Sequence, residues 1–363
     1  MTTQASTTLQ TGTHPAQRFD ERMLNILNSA GLALMISVGH RTGLFDAMAD
    51  MPPATSEEIA ERSGLSERYV REWLGVMVTG GVVDHNPEIG TFMLPAEHAA
   101  FLTRRSVPNN LASVTQWISV LGAVEDEVVE AFKHGRGVPY SAYRRFHAVM
   151  LEESNQTTVA GLRDHIIPLV PGLDKKLAAG IDVLDIGCGS GMAIICLAEM
   201  FPASRFVGYD LGEDAIAAAR AEAAHRGVRN VRFKVQDVAE MRDADRFDLV
   251  TAYDAIHDQA RPDLVLANIH RALRPGGLFL MQDIAACTQM HGNIGHPMGP
   301  FVYTISCMHC MSVSLARGGM GLGAAWGREK ALEMLDDAGF AEVAVERLDH
   351  DLLNYYYLAP KDL

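Results

Sequence analysis

Three groups of residues have types and spacing suited to chemistry. Gly187, Gly189 and Gly191 alternate directly after the apolar run 183–186. Without Cβ atoms such a turn can be tight, and its backbone can approach a ligand closely. Alone, G-x-G-x-G is a weak signal, because dinucleotide-binding loops use it too. Asp185 precedes the turn, and Asp210 ends a second apolar segment 25 residues further on. A carboxylate at such a strand tip can accept both hydroxyls of a ribose. Gln236-Asp237-Val238 ends a third segment, where an acceptor can meet the exocyclic amine of adenine. A fourth leads into Asp254-Ala-Ile-His257-Asp258. A neutral imidazole there can take the proton of a hydroxyl at neutral pH. Asp254 and Asp258 stand close enough in sequence to orient His257 or raise its pKa. The plainer alternatives are strand-end capping for the carboxylates and helix capping for His257.

These residues need a scaffold that brings strand tips together. Apolar segments at 183–186, 205–210, 231–235, 247–253 and 278–282 read as strands, with helices between them such as 192–200 and 262–273. Alternation of this kind gives an α/β sheet of parallel strands covered on both faces. The segments 343–347 and 355–358 predict a final antiparallel pair, so that the sheet closes as a mixed one.

The combination of Asp185-Ile-Gly-Cys-Gly-Ser-Gly191, the later acid Asp210, Gln236-Asp237-Val238, Leu273-Arg-Pro-Gly-Gly277 and the terminal hairpin resembles the class I S-adenosylmethionine-dependent methyltransferases, over residues 173–363. The resemblance implies a Rossmann-like sheet with a C-terminal antiparallel hairpin, and S-adenosylmethionine as cofactor. It makes Asp210 the ribose acceptor and Asp237 the adenine partner. Gly187 and Gly189 become the floor under the methionine portion, with Asp185 near its amino group. Gly191, Leu211, Val238 and Asp254 complete the implied cofactor set. In the resembling O-methyltransferases a His-Asp pair at the place of His257-Asp258 precedes a helix, and the His is the base. There a Trp usually follows the pair, whereas this chain has Gln259.

Residues 19–107 follow a different grammar. A helical pattern at 22–39 is followed by Thr55-Ser-Glu-Glu58, a capping box that starts a second helix. Ser66 opens a third helix, Gly80-Gly81 stops it, and two short strands flank 86–90. Helix, turn, helix and wing predict an α-helical winged-helix module. Between Ser56 and Glu72 stand five acids (Glu57, Glu58, Glu61, Glu67, Glu72) against three bases (Arg62, Arg68, Arg71). Phosphates would repel that surface, so the module reads as a dimerisation and lid domain. A winged helix before a methyltransferase domain resembles the small-molecule O-methyltransferases of plants and bacteria, which implies a homodimer.

The helical linker 108–170 is expected to line an acceptor pocket through a helix at 140–159 bearing Tyr143, His147 and Met150. Within the methyltransferase part, residues 285–325 form an insertion too long for an ordinary loop. A helix at 301–315 would place Tyr303, Cys307 and Met311 on one face as the pocket's cover. Cys307-Met-His-Cys310 resembles half a zinc site without a second pair, so no metal is expected. The run 318–323 reads as a flexible joint.

Composition bounds the rest. The chain has 363 residues, of which 48% are hydrophobic and 21% charged, enough for two cores. A net charge of −14 argues against nucleic acid, which needs clustered cations. No run approaches the roughly 18 apolar residues of a membrane span. Five cysteines and no secretory signal point to the cytoplasm, and residues 1–18 read as a disordered tail. The leading expectation is methyl transfer from S-adenosylmethionine to a hydroxyl of a small, largely apolar or aromatic metabolite. S-methylation of a small thiol, a non-catalytic cofactor-binding regulator and a dehydrogenase are the alternatives.

Overall fold

The computed structural model describes residues 18–108, 110–351 and 353–362. The tail expected over 1–18 lies outside them apart from its last residue. Helices Phe19–Thr42, Leu44–Ala49, Ser56–Ser63 and Glu67–Thr79 lead into strands β1 (Asp84–Asn86) and β2 (Thr91–Met93), an antiparallel wing. The capping box is formed: Thr55 accepts from the Glu58 amide, and the Glu58 carboxylate accepts from the Thr55 amide. Trp73 and Phe45 meet edge to face at 5.2 Å at the centre of this core. The indole N–H of Trp73 donates to the Met35 carbonyl at 2.9 Å. Arg68 and Arg71 are spent on Glu72 and Glu67 one turn away.

The helix Phe19–Thr42 corrects one expectation. By length and composition it is apolar enough to cross a membrane, and little of it is buried. Asn25, Asn28, Ser29 and Ser37 interrupt its apolar runs, but residues 23–39 hold no Asp, Glu, Lys or Arg, so its average is high.

A helical wall follows, comprising Leu111–Val114, Gln116–Gly122, Glu125–His134 and Phe146–Ser154. The expected helix over 140–159 is broken. Tyr140–Ala142 is a short 3-10 turn, Arg145 takes a left-handed conformation at φ 66°, and Asn155–Val159 is a π-helical turn. The Arg145 guanidinium donates to Gln116 at 2.6 Å, which fixes the break against the neighbouring helix.

The C-terminal part is a seven-stranded sheet. Its strands are β3 (Asp182–Ile186), β4 (Arg205–Asp210), β5 (Val231–Val235), β6 (Phe247–Tyr253), β7 (Leu273–Ile284), β8 (Ala344–Glu346) and β9 (Asn354–Pro360), in the order β5-β4-β3-β6-β7-β9-β8. The first five pair in parallel, and β9 runs antiparallel to both β7 and β8. Chain order reverses at β3: β4 and β5 extend to one side, β6 and β7 to the other. The loops leaving β3 and β6 therefore diverge and open a crevice at the carboxyl ends of the strands. Two apolar clusters fill the faces of the sheet, one with Leu184, Val250 and Phe279, the other with Val183, Leu249 and Leu280.

The insertion after β7 contains Gly299–Ile305, a π-helical turn Ser306–Cys310 and Met311–Ala316, stacked as one irregular helix. The glycine run 318–323 is docked rather than free. Met320 N–H donates to the Ala260 carbonyl at 3.0 Å and Gly323 N–H to the His257 carbonyl at 3.2 Å. The helical wall grips the same insertion, since the Val138 amide donates to Ser312 Oγ at 2.8 Å. At Gly137 a Cβ would lie 1.8 Å from the Ser312 carbonyl oxygen and 2.4 Å from the Ala316 nitrogen. Gly137→Ala must push the insertion away and is expected to cost about 1–3 kcal/mol of stability. An unchanged urea unfolding midpoint would contradict this packing.

Candidate active site

The crevice deepens into a cavity of about 440 Å³. Gly187 and Gly189 form part of its floor, and Asp210, Leu211, Gln236, Asp237 and Val238 border one end. Gly187 takes φ 63°, and a Cβ there would stand 2.5 Å from Ala255 Cβ, so the turn and the loop after β6 exclude any side chain between them. The Asp210 carboxylate accepts from the Gly189 amide at 2.8 Å and the Gly212 amide at 2.7 Å. Those bonds hold its oxygens at the cavity edge with lone pairs to spare for two hydroxyls.

Two residues of the expected cofactor set do not reach the cavity. Asp185 is buried beneath the turn and accepts from Thr251 Oγ1 at 2.7 Å. It sits inside β3, between its parallel neighbours, and burial pushes its carboxyl up to about 7. Gly191 lies behind the turn at φ 76°, where a Cβ would strike the Phe233 ring at 2.6 Å. It starts the helix Met192–Met200 and faces the core.

Asp237 borders the cavity, but Arg317 at the end of the insertion has engaged it at 2.7 Å. Its other oxygen caps the Ala239 amide. Arg317 carried no signal in the sequence, because nothing local links it to a residue 80 positions earlier.

His257 is buried on the cavity wall. Its partner is neither Asp254 nor Asp258: Nδ1 pairs with Asp283 Oδ1 at 2.7 Å. Asp283 stands at the end of β7, beside β6, so the sheet brings the two together across 26 residues. The same oxygen accepts from the Trp326 indole N–H at 2.9 Å and the Ile284 amide at 2.8 Å. Burial disfavours an imidazolium, yet the Asp283 charge outweighs it and holds the His257 pKa well above its ordinary value. The Cys310 thiol packs against the imidazole, its own pKa raised by burial. Asp258 borders the cavity and accepts from Gln259 at 3.3 Å. Burial lifts it to about 6, against the opposing pull of His257.

Asp254 takes φ 49° at the cavity edge. Gln282 donates to its Oδ2 at 3.2 Å, while its Oδ1 is buried without a partner among the described residues. Burial first, then Asp283, raises its pKa well above that of an ordinary carboxyl. Ligand atoms of Asp254, His257 and Asp283 lie within 4.8 Å of one another. The His257–Asp283 hydrogen bond already accounts for two of the three.

Of the expected acceptor-side residues, His147 and Met150 border the cavity. Tyr143 does not: it is buried in the wall and its hydroxyl donates to the Met308 carbonyl. The expected face of the insertion helix also fails. Tyr303 and Cys307 line an outer groove with Val128 and Phe132, and Met311 packs against Gly323. The inward stripe is Phe301, Ile305, His309 and Val313, with Val302 and Cys310 beside it. Apolar residues surround this helix on every side, so periodicity could not select a face. The π-helical turn further stretches the repeat to four residues.

His309 is buried and stacks on Phe146 at 4.1 Å. Burial, helped by His257 and His147, pushes it down to about 3, so it is a neutral group in the cavity wall. Trp117, Tyr140 and Phe146 complete an aromatic lining.

Comparison with known proteins agrees with this geometry. Residues 177–339 match a family described as a methyltransferase domain. The C-terminal half carries a methyltransferase domain. Residues 30–104 match the Rv2258c-like winged HTH domain. Nocamycin O-methyltransferase of Saccharothrix syringae is 40% identical over 102 residues, 27% of this chain and 36% of that protein. The chain thus matches about a third of the length of such curated relatives. A solved structure described as a putative O-methyltransferase from Nostoc punctiforme superposes with a TM-score of 0.72 at 19% identity, covering 96% of this chain and all of the other. Human N-acetylserotonin methyltransferase, solved with its S-adenosylmethionine, gives 0.68 at 16% identity over 97% of this chain and all of the other. The winged helix and methyltransferase sheet therefore recur together in one fold.

The buried Asp185 carboxyl makes a testable statement about stability. Its folded pKa of about 7 lies above the ordinary carboxylate value, so the protonated form favours the fold. That contribution is full at low pH and disappears as pH rises through about 7. Asp185→Asn, which cannot ionise, should therefore gain stability relative to the wild type between pH 5 and pH 8, by about 2–3 kcal/mol. Urea midpoints that keep the same difference at both pH values would contradict a protonated Asp185.

Proposed function

We propose that this protein transfers the methyl group of S-adenosylmethionine to a hydroxyl of a small, largely apolar or aromatic acceptor. The observation that carries the reading is one cavity holding both parts of the chemistry. The Gly187–Gly189 floor, Asp210 and His257, itself paired with Asp283, border the same cavity. The residues present fit the donor: a side-chain-free turn, a backbone-held carboxylate at the second strand tip, and Asp237 at the third.

S-adenosylmethionine, when bound, supplies a methyl carbon already activated by its sulfonium. The protein's own contribution is mostly alignment of acceptor and donor. His257 takes the acceptor's proton, and Asp283 fixes the ring through Nδ1 so that Nε2 is the working nitrogen. Asp283 also strengthens the imidazole as a base while raising the pH at which the ring becomes free. The insertion braces this arrangement from behind, with Ser314 donating to the Gln259 carbonyl at 2.9 Å.

Two further parts of the reading concern assembly and setting. Phe19, Leu24 and Leu27 expose more than half their surface along the first helix. An apolar face that long favours a second copy of the chain as its cover, and we assign it to a homodimer. Sedimentation of a Leu24→Glu, Leu27→Glu variant should show a monomer; an unchanged dimer would exclude this face. All five cysteines are free thiols, which fits the reducing cytoplasm.

His257→Ala should lower turnover with a hydroxyl acceptor by about 100-fold or more, while cofactor affinity by calorimetry stays within a few-fold of the wild type. Asp283→Asn removes the charge that raises the His257 pKa. The acid limb of kcat/KM should then move to lower pH, with a reduced plateau. An acid limb that stays in place would separate Asp283 from the proton transfer. If purified protein bound neither S-adenosylmethionine nor S-adenosylhomocysteine, the methyl-transfer reading itself would be lost.

A further inference from the structure

The helix Phe146–Ser154 turns one face to the cavity. Phe146, His147, Met150, Glu153 and Ser154 all border it, and Thr157 continues the stripe. Glu153 is the acid among them, and the proposed proton transfer does not use it. Its Oε2 accepts from the Trp117 indole N–H at 2.6 Å. Among the described residues no second donor reaches this carboxylate.

The other acids bordering the cavity also have at least one donor each. Two backbone amides hold Asp210, Arg317 holds Asp237, and Asn354 and Tyr356 donate to Asp351. Gln282 donates to Asp254, and Gln259 to Asp258. Six carboxyl side chains thus border the cavity, and its single arginine is already spent. An anionic ligand would enter against that field.

The surroundings of Glu153 are aromatic. Trp117 and Phe146 meet edge to face at 5.3 Å, Tyr140 and Phe146 at 4.8 Å, and Tyr140 stacks with His147 at 5.5 Å. Rings of this kind attract a cation through their electron-rich faces. A carboxylate enclosed by them costs free energy until an opposite charge arrives.

We infer that the acceptor carries a cationic nitrogen, an ammonium group that pairs with the Glu153 carboxylate beside the rings of Trp117, Tyr140 and Phe146. The inference rests on the reading that the methyl acceptor occupies this cavity. Burial pushes the Glu153 carboxyl up, the Trp117 hydrogen bond opposes this, and Asp351 adds to the rise. An arriving ammonium would favour the charged form. Carboxylate acceptors are disfavoured by the same wall, because they would meet Glu153, Asp254 and Asp351 with no unpaired Lys or Arg among the described residues bordering the cavity.

Calorimetry on protein saturated with S-adenosylhomocysteine tests this with three matched phenols: tyramine, 4-ethylphenol and 3-(4-hydroxyphenyl)propanoate. Tyramine is expected to bind at least about tenfold more tightly than 4-ethylphenol, and the propanoate most weakly. Glu153→Gln should abolish the advantage of tyramine while S-adenosylhomocysteine still binds, which shows an intact fold. Equal affinities, no measurable tyramine binding, or a preference for the propanoate would overturn the inference. So would a Glu153→Gln variant that loses S-adenosylhomocysteine affinity and keeps the phenol ranking, because the carboxylate would then serve the donor's own ammonium. Absence of S-adenosylhomocysteine binding by the wild type would instead remove the methyl-transfer reading on which this one stands.

Discussion

One buried oxygen, Asp283 Oδ1, joins the parts that make this site. It accepts from His257 on the loop after β6, from the Ile284 amide where β7 ends, and from Trp326 at the start of the helix Gly327–Asp337. A fully buried carboxylate is tolerable only with compensation of this density. Removing any donor leaves charge exposed to an apolar surround, so the base loop, the sheet edge and the exit of the insertion are bound to a common geometry. His257, the proposed base, is consequently placed by the sheet rather than by its own loop. The proposed methyl transfer is governed by alignment, where small displacements of the reacting groups are costly.

A second constraint is the reversal of strand order at β3. It forces the glycine turn and the base loop to leave adjacent strands in diverging directions, and the close approach of Gly187 to Ala255 sets how far apart they stand. The glycine turn and the loop carrying His257 are thus two sides of one crevice. The insertion closes it from the third side, and its C-terminal end is latched twice, by Arg317 on Asp237 and by the glycine run on the carbonyls of Ala260 and His257. The loops after β5 and β6 are thereby tied to one segment.

What the sequence disclosed follows from the range of the interactions involved. The glycine turn, the strand-tip acids Asp210 and Asp237, the capping box at Thr55 and the mixed closure of the sheet are local patterns, and each is where it was expected. The proposal at His257 starts from a pattern of the same local kind. Its partner was not legible, because Asp283 reads as one more residue of a strand, and only the pairing of β6 with β7 makes it a neighbour. Asp185 was misplaced toward the ligand: at the end of an apolar run, sequence alone does not distinguish a carboxyl facing the crevice from one bonded to Thr251 beneath it. The acceptor side was least legible. Around residues 301–315 apolar side chains occur on all faces, and the π-helical turn at Ser306–Cys310 changes the repeat that an ordinary helix would impose.

The winged-helix domain packs against the helices of the cavity wall, and one ion pair ties it to the helix Phe146–Ser154. His40, buried at the end of the first helix, pairs with Glu152 at 2.5 Å, and Gln116 donates to the same carboxylate at 2.7 Å. Glu152 and Glu153 are adjacent on a helix, so they point about 100° apart: one is held by the N-terminal domain, the other turns to the cavity. Fixing Glu152 therefore sets the rotation of Phe146–Ser154 and with it the placement of His147, Met150 and Glu153. A domain whose architecture elsewhere suits DNA is here an outer brace for the acceptor wall, its own arginines Arg68 and Arg71 occupied by neighbouring acids. Movement of the first helix would be felt in the cavity wall through that carboxylate and through the helices Leu111–Val114 and Gln116–Gly122, against which it also packs.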